Sequence, residues 1–234
     1  MGYPHSMVTL AFDTCFAQLS AAVRYRMPDG TWRVHGETRV MATGHAEHLL
    51  PMIETVLREA GVRFPDIERI AVTLGPGTFT GVRTGIAAAR ALALAAGKPV
   101  AGLTSLSLLL HTALAQNPRE LAGKPLAVAV DARRGEVYLQ LFDPQGESAG
   151  DPQLLTLTAA LALLPAETAV LGSGGPLLQA LATTEGFHID AILPDLQPDA
   201  RNLASLADQL PIINPVHPLY LRAPDAKPDR KSVV

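Results

Sequence analysis

The stretch VTLAFDTCFAQLSAAV, from Val8 to Val23, carries the pattern that decides the fold. A short apolar run ends on Asp13 and a second run follows from Gln18 to Tyr25, which predicts a β-hairpin that turns beside an acid. The same pattern recurs in PLAVAVDARRGEVYLQLF, from Pro125 to Phe142, where the acid is Asp131. The repetition is the first indication that one structural unit occurs twice.

A second pattern is repeated in the same order. RIAVTLGPGTFTGVRTGIAAA (residues 69–89) and TAVLGSGGPLLQALA (residues 168–182) each predict a strand, a glycine-rich loop and a helix. Strand–glycine–helix joints are common in α/β proteins, so one such coincidence would mean little. Two coincidences in the same order favour a duplicated lobe.

Two lobes that each open with an acid-bearing hairpin are typical of the α/β fold shared by actin, sugar kinases and heat-shock chaperones. In that fold the two acids face each other across a cleft and hold ATP phosphates and magnesium. We therefore expect an N-terminal lobe at residues 1–104 and a C-terminal lobe at residues 105–222. Residues 223–234 are expected to be a mobile tail.

Composition narrows the class of protein. The chain has 234 residues, a formal charge of -3 and no run of basic residues, so we expect no autonomous binding of nucleic acid. No apolar run is long enough to span a bilayer and no signal peptide is evident, which predicts a cytoplasmic location without membrane contact. The single Cys15 suits a reducing compartment. Residues 1–6 precede the first strand and are interpreted as an extension.

Two helices of the first lobe have unusual surfaces. Apolar spacing predicts a helix in residues 43–60, where Pro51 indicates either a kink or a late start. A second helix, in residues 81–96, is apolar almost all round and must be covered on more than one side. Its small residues and two arginines, Arg83 and Arg90, would suit a partner helix; burial under another part of the chain is the alternative.

The GPGTFTG loop is a weak candidate for phosphate binding. It lacks the Gly-Lys-Ser/Thr ending of a Walker loop, and Pro76 removes one N–H donor. Phe16 and Arg133 would also crowd a phosphate beside the two acids. We therefore favour a tight strand-to-helix joint over a nucleotide site.

Histidines and serines offer no better active site. His45 and His48 lie three residues apart, but the other histidines are scattered, so a metal site is not expected. No nucleophile elbow supports a Ser-His-Asp hydrolase. A contact surface is the simpler interpretation of His48 and Met52.

Six motifs together resemble the TsaB family, also called YeaZ. They are LAFDTCFAQLSAAV, HAEHLLPMIETVL, LGPGTFTGVRTGIAAARALA, PVAGLTSLSLL, VDARRGEVY and PLYLR, and they span most of the chain. Cys15 and Thr78 stand where the family usually has serine. Residues 143–168 carry no signature of the family.

The resemblance implies an accessory subunit without an active site of its own. Members pair with TsaD, and with the ATPase TsaE, in the transfer of a threonylcarbamoyl group to the adenosine beside the tRNA anticodon. It implies pairing, or homodimerisation when TsaD is absent, through helices 43–60 and 80–96, and only indirect contact with tRNA. ATP and metal would belong to the partners, so no cofactor is expected in the isolated chain.

Carried onto this sequence, the resemblance and the helical pattern give two sets of candidate residues. The expected partner interface comprises His45, His48, Leu49, Met52, Phe79, Val82, Arg83, Ile86, Ala87, Arg90 and Leu94. An expected vestigial nucleotide cleft comprises Asp13, Thr14, Asp131, Gly174 and Gly175. The alternatives are an ATP-dependent phosphotransferase or ATPase of the same fold and, more remotely, a peptidase.

Overall fold

A computed structural model describes residues 6–165 and 167–222, and the expected mobile tail at 223–234 lies outside them. The first of two five-stranded sheets has the strand order β3-β2-β1-β4-β5. Strands β1 and β2 form an antiparallel hairpin, and β4 and β5 are parallel to β1. The strands are β1 (Ser6–Asp13), β2 (Gln18–Arg26), β3 (Trp32–Val40), β4 (Ile67–Thr73) and β5 (Val100–Leu103).

The second sheet repeats this topology strand for strand. Its order is β10-β9-β6-β7-β8, with an antiparallel β6–β7 hairpin and with β9 and β10 parallel to β6. Each strand therefore matches the one five places earlier, which confirms the predicted α/β fold with a duplicated lobe. The strands are β6 (Leu126–Arg133), β7 (Glu136–Phe142), β8 (Gln153–Thr156), β9 (Ala169–Leu171) and β10 (Asp190–Ile192).

The helices follow the same duplication. In each lobe one helix follows the third strand, one follows the fourth and one follows the fifth; the short α4 joins the lobes, and a 3₁₀ turn precedes β4. The helices are α1 (His45–Ala60), α2 (Phe79–Ala96), α3 (Ser105–Gln116), α4 (Pro118–Leu121), α5 (Leu157–Leu163), α6 (Gly175–Thr184) and α7 (Ala200–Leu206).

Local signals set the helix ends. Helix α2 begins two residues earlier than predicted because the Thr78 hydroxyl accepts a hydrogen bond from the Gly81 N–H at 3.1 Å. Gly61 and Gly97 close α1 and α2 in the left-handed conformation. Helix α1 begins at His45, ahead of Pro51, so the late start that was one alternative is wrong.

The last helix of each lobe packs on the sheet of the other lobe. Leu106, Leu109 and Leu110 of α3 pack against the second sheet, and Leu203 and Ala204 of α7 pack against the first. The predicted boundary at residue 104 thus marks the end of the first sheet but not a complete separation of the lobes. Helices α1 and α2 cover the outer face of the first sheet, and α5 and α6 cover that of the second.

The C-terminal segment also returns to the first lobe. Residues 211–222, here called the C-terminal strap, contain no helix or regular strand. Ile213 N–H donates to the Val100 carbonyl at 2.8 Å along the edge of β5, and Leu219 N–H donates to the Leu74 carbonyl at 2.7 Å. The strap therefore covers the open edge of the first sheet.

Candidate docking face and interlobe cavity

Helices α1 and α2 lie side by side and bury one side of each against the first sheet. Leu49, Ile53 and Val56 of α1 join Val82 and Ile86 of α2 in one core cluster. The opposite sides face outward, and we call the outward surface of these two helices the α1–α2 face.

Six of the eleven predicted interface residues lie at the surface, and five do not. His45, Leu49, Met52, Val82 and Ile86 are between 1 and 7% exposed and pack inside the first lobe, although Leu49 also forms part of the floor of the groove described next. The exposed six are His48, Phe79, Arg83, Ala87, Arg90 and Leu94.

The α1–α2 face contains a groove of about 640 Å³ between the two helices. Leu50 is 54% exposed, Phe79 40%, and Leu94, further along α2, 86%. Sequence reasoning missed Leu50, although it follows the buried Leu49 and so lies off the core stripe of α1. The groove is lined by Ala46, Leu49, Leu50, Phe79, Thr80, Arg83, Thr84, Ala87 and Ala88.

The two arginines of α2 contact the C-terminal strap. Arg90 donates from Nε to the Val216 carbonyl at 2.8 Å, and Arg83 donates from Nε to the Tyr220 hydroxyl at 2.9 Å. The Arg83 guanidinium also lies 3.7 Å from the centre of the Phe79 ring. Part of the polar surface of α2 is thus satisfied within the chain, although both arginines remain exposed.

The glycines of the GPGTFTG loop allow close packing against the β1–β2 turn. A Cβ atom on Gly77 would lie 2.5 Å from the Cys15 carbonyl oxygen, and one on Gly81 would lie 2.1 Å from the Thr14 carbonyl oxygen. The Thr78 N–H donates to the Cys15 carbonyl at 2.8 Å, and the Thr14 hydroxyl donates to the Gly81 carbonyl at 2.7 Å. These contacts support the strand-to-helix joint.

The two acids of the duplicated hairpins lie in different environments. Asp13 is fully buried and accepts hydrogen bonds from the Thr73 hydroxyl at 2.5 Å and the Cys15 N–H at 3.3 Å. Burial raises the pKa of Asp13 to about 6, and the hydrogen bonds offset part of that rise. Burial also raises the pKa of the Cys15 thiol, which makes it a poor nucleophile. Asp131 instead borders an open cavity.

Of the five residues assigned to a vestigial nucleotide cleft, only Asp131 lines this cavity. Asp13 and Thr14 are buried beneath the GPGTFTG loop. Gly174 packs against Ala129, and Gly175 against Ala191. The predicted cleft is therefore corrected: a cavity of about 730 Å³ separates the lobes, but the first acid does not reach it.

The paired histidines do not form a metal site with other residues. Across residues 6–165 and 167–222, no three His, Cys, Asp or Glu side chains lie close enough to hold a metal ion. His48 is exposed and its Nδ1 is 3.5 Å from Arg39, whereas the buried His45 has no partner for Nε2. Within the same described ranges, none of the helices combines the length and apolarity that crossing a membrane requires.

Three comparisons place the chain among known proteins. A family model described as TsaD, tRNA N6-adenosine threonylcarbamoyltransferase, matches residues 39–207. The TsaB protein of Escherichia coli, a tRNA threonylcarbamoyladenosine biosynthesis protein, is 39% identical over 132 residues, which are 56% of this chain and 53% of that protein. The match thus spans about half the length of that relative.

Longer matches cover nearly the whole chain. An uncharacterised protein of Mycobacterium tuberculosis is 33% identical over 94% of this chain and 93% of its own length. The solved structure of YeaZ from Pseudomonas aeruginosa superposes with a TM-score of 0.72 at 30% identity, covering 92% of this chain and 99% of that one. With the repeated sheets and the GPGTFTG joint described above, these matches show that the chain belongs to the TsaB family, also called YeaZ.

Proposed function

We propose that this chain is a non-catalytic subunit of a tRNA-modifying complex, in which it pairs with a TsaD-type protein through the α1–α2 face. The observation that carries the proposal is the exposed apolar groove between α1 and α2, with Leu50 and Leu94 facing outward. The related E. coli protein is named for threonylcarbamoyladenosine biosynthesis, and the matching family model for threonylcarbamoyl transfer to tRNA adenosine.

The size of the face fits a specific interface. Helices of 16 and 18 residues are roughly 24 and 27 Å long at 1.5 Å per residue. Two such helices against two from a partner would bury on the order of 1,200–2,000 Å², which is the usual area of a stable protein–protein contact. A second copy of this chain would use the same face in the absence of TsaD.

The burial of Asp13 is the reason why the proposal assigns ATP and metal to the partner proteins and not to this chain. Asp13 is enclosed by its own lobe, so an ATP phosphate or magnesium ion could not reach it without opening the β1–β2 turn. In the proposal ATP and metal are held by TsaD and TsaE, tRNA contacts this subunit only indirectly, and the complex works in the cytoplasm. For the same reason we do not favour a phosphotransferase or ATPase activity of this chain; millimolar Mg-ATP should give no saturable heat in calorimetry.

Ala87→Glu tests the pairing. Ala87 is exposed at the groove, so a glutamate there fits the monomer but places a larger, charged side chain in an apolar interface. We expect loss of co-purification with TsaD from the same organism and loss of the homodimer in light scattering, with an unchanged circular dichroism spectrum.

The duplicated lobe supplies a matched control. Ala180→Glu places the same charge on an exposed position of α6, the helix equivalent to α2, and should leave pairing intact. Leu94→Arg and Leu177→Arg form a second pair on the same two helices. A folded Ala87→Glu variant that still pairs, or equal losses on both helices, would refute the α1–α2 face as the interface.

A further inference from the structure

Three parts of the chain contribute most of the lining of the cavity between the lobes. The first lobe contributes Phe16 and the loop from Pro76 to Phe79, the second contributes the β6–β7 hairpin, and the C-terminal strap contributes Leu219 to Arg222. Its volume of about 730 Å³ lies within the usual range of small-molecule sites, roughly 300–1,000 Å³.

Aromatic and aliphatic side chains form much of its wall. Phe16, Phe79, Tyr138 and Tyr220 present four rings, and the Phe79 and Tyr220 rings pack with their centres 5.2 Å apart. The Tyr138 hydroxyl is protonated at neutral pH, as burial only raises its pKa further, and it is able to donate a hydrogen bond. Such a wall favours a flat, largely apolar ligand.

The ionic groups along the wall are paired within the chain. Arg133 lies 3.2 Å from the Asp131 carboxylate. Arg222 donates to the Ala132 carbonyl at 2.7 Å and forms an ion pair with Glu136. An anionic ligand would compete with Asp131 and Glu136 for these guanidinium groups, whereas a neutral ligand would not.

Backbone N–H groups on both sides of the cavity already have partners within the chain. Thr78 N–H, at the start of α2, donates to the Cys15 carbonyl, and Gly77 packs directly on Cys15. On the other side of the cavity, Asp131 N–H donates to the Ser173 hydroxyl at 3.1 Å. These groups therefore do not converge on an anion as a phosphate-binding loop requires.

One polar group of the wall has no partner. The Gln197 Oε1 atom is buried without a hydrogen-bond donor among the described residues. A rotation of the amide toward the cavity would allow a ligand N–H or O–H to satisfy it. From the size, the rings, the paired charges and this acceptor, we propose that the interlobe cavity binds an uncharged, planar heterocycle of about nucleoside size and does not hold its phosphorylated form.

The test uses adenosine as the neutral probe and AMP and Mg-ATP as its phosphorylated counterparts. Titration of the full chain, followed by ¹⁵N–¹H spectra, should show saturable adenosine binding, with shifts at the amides of Asp131 and Ser173. AMP should bind about tenfold more weakly or not at all, since its phosphate must compete with existing ion pairs.

A cavity-filling variant localises the binding. Ala17 is exposed and lines the cavity, so Ala17→Trp places an indole in the ligand's space without disturbing the core. It should weaken adenosine binding by about tenfold or more, while Ala180→Trp on α6 should leave it unchanged. Ala87→Glu should also bind adenosine normally, which separates this proposal from the pairing proposal.

Three results would overturn the proposal. Absence of saturation by adenosine at millimolar concentration would show that the cavity is not a site for this ligand class. Tighter binding of AMP or Mg-ATP than of adenosine would show that phosphate is recognised. Unchanged binding in a folded Ala17→Trp variant would place the adenosine elsewhere on the protein.

Discussion

The two lobes share one topology but have diverged at the tips of their first hairpins. Asp13 ends β1 and is fully buried, whereas Asp131, in the equivalent strand β6, borders the interlobe cavity. The difference comes from the neighbouring loop. Gly77 and Gly81 let α2 close over the turn after Asp13, at Thr14 and Cys15, whereas Gly174 packs on Ala129, two residues before Asp131, and leaves the tip of the second hairpin open. A duplicated acid therefore does not imply a duplicated role.

The outer helices differ as well. Helices α1 and α2 have 16 and 18 residues, against 7 and 10 in their counterparts α5 and α6. The longer pair forms the groove with exposed Leu50, which fits its proposed role in pairing. The lobes have thus kept the same strand order while only one of them offers a face of that length.

The largest effect is expected from the matched glycines. Gly77 and Gly174 each lie two residues after a glycine of positive φ in the loop that follows the fourth strand of the lobe. Gly77→Ala would place Cβ 2.5 Å from a backbone oxygen, and we expect a loss of about 3–5 kcal/mol in the free energy of unfolding.

In Gly174→Ala the added Cβ would lie 3.0 Å from its nearest neighbours, and we expect a loss of about 1–2 kcal/mol in the free energy of unfolding. Urea denaturation followed by circular dichroism measures both losses. Equal losses would contradict the tighter closure of the first hairpin.

A second, somewhat smaller effect is expected in the pH dependence of stability, where Asp13 should contribute and Asp131 should not. The pKa of Asp13 is raised from 3.8 to about 6, so the folded state holds its proton more tightly than the unfolded state. Stability should therefore fall as pH rises from about 4 to about 6, by about 3 kcal/mol relative to a chain without this acid.

Asp13→Asn should remove that fall, because a neutral amide keeps an acceptor for Thr73 but does not titrate. Asp131→Asn is the control and should keep it. The measurement is the denaturation midpoint at several pH values. If the midpoints of the wild type and of Asp13→Asn change with pH in the same way, the pKa of Asp13 is not raised by burial.

The smallest effect concerns the strap, which packs along the first lobe. Arg90→Ala removes the donors to the buried Val216 carbonyl and should cost about 1–2 kcal/mol, since that acceptor would then lack its partner. Hydrogen exchange should become faster at the Leu219 amide. Arg119→Ala, an exposed change on α4, should alter neither quantity.

The sequence was sufficient for the topology because the repeated signals are local. Asp13 and Asp131, each at the end of an apolar run, identified equivalent hairpins, and the glycine loops identified equivalent strand-to-helix joints. The ends of α2 also followed from local residues, apart from the two-residue extension that Thr78 allows.

The details of the docking face depended on long-range packing. Helical spacing groups Leu49 with Met52 and Val82 with Ile86, but it does not say whether a group faces a sheet of the same chain or a partner. Arg83 likewise pairs with Tyr220, 137 residues away, which no local pattern indicates. The burial of Asp13 has the same origin, because the carbonyls of its turn meet glycines from a distant loop.

Helix α3 packs on the second sheet and α7 on the first, and this crossed packing has a consequence for folding. Each half supplies a helix that shields the inner strands of the other, so a fragment ending near Gly123 would leave Ala11, Ala22 and Ala71 without the cover of Leu203 and Ala204. All five strands of the first sheet precede residue 104, but this face of the sheet is fully covered only after α7 has been synthesised and has packed against it. Two separately expressed halves should consequently be soluble only when they are produced together and reassemble.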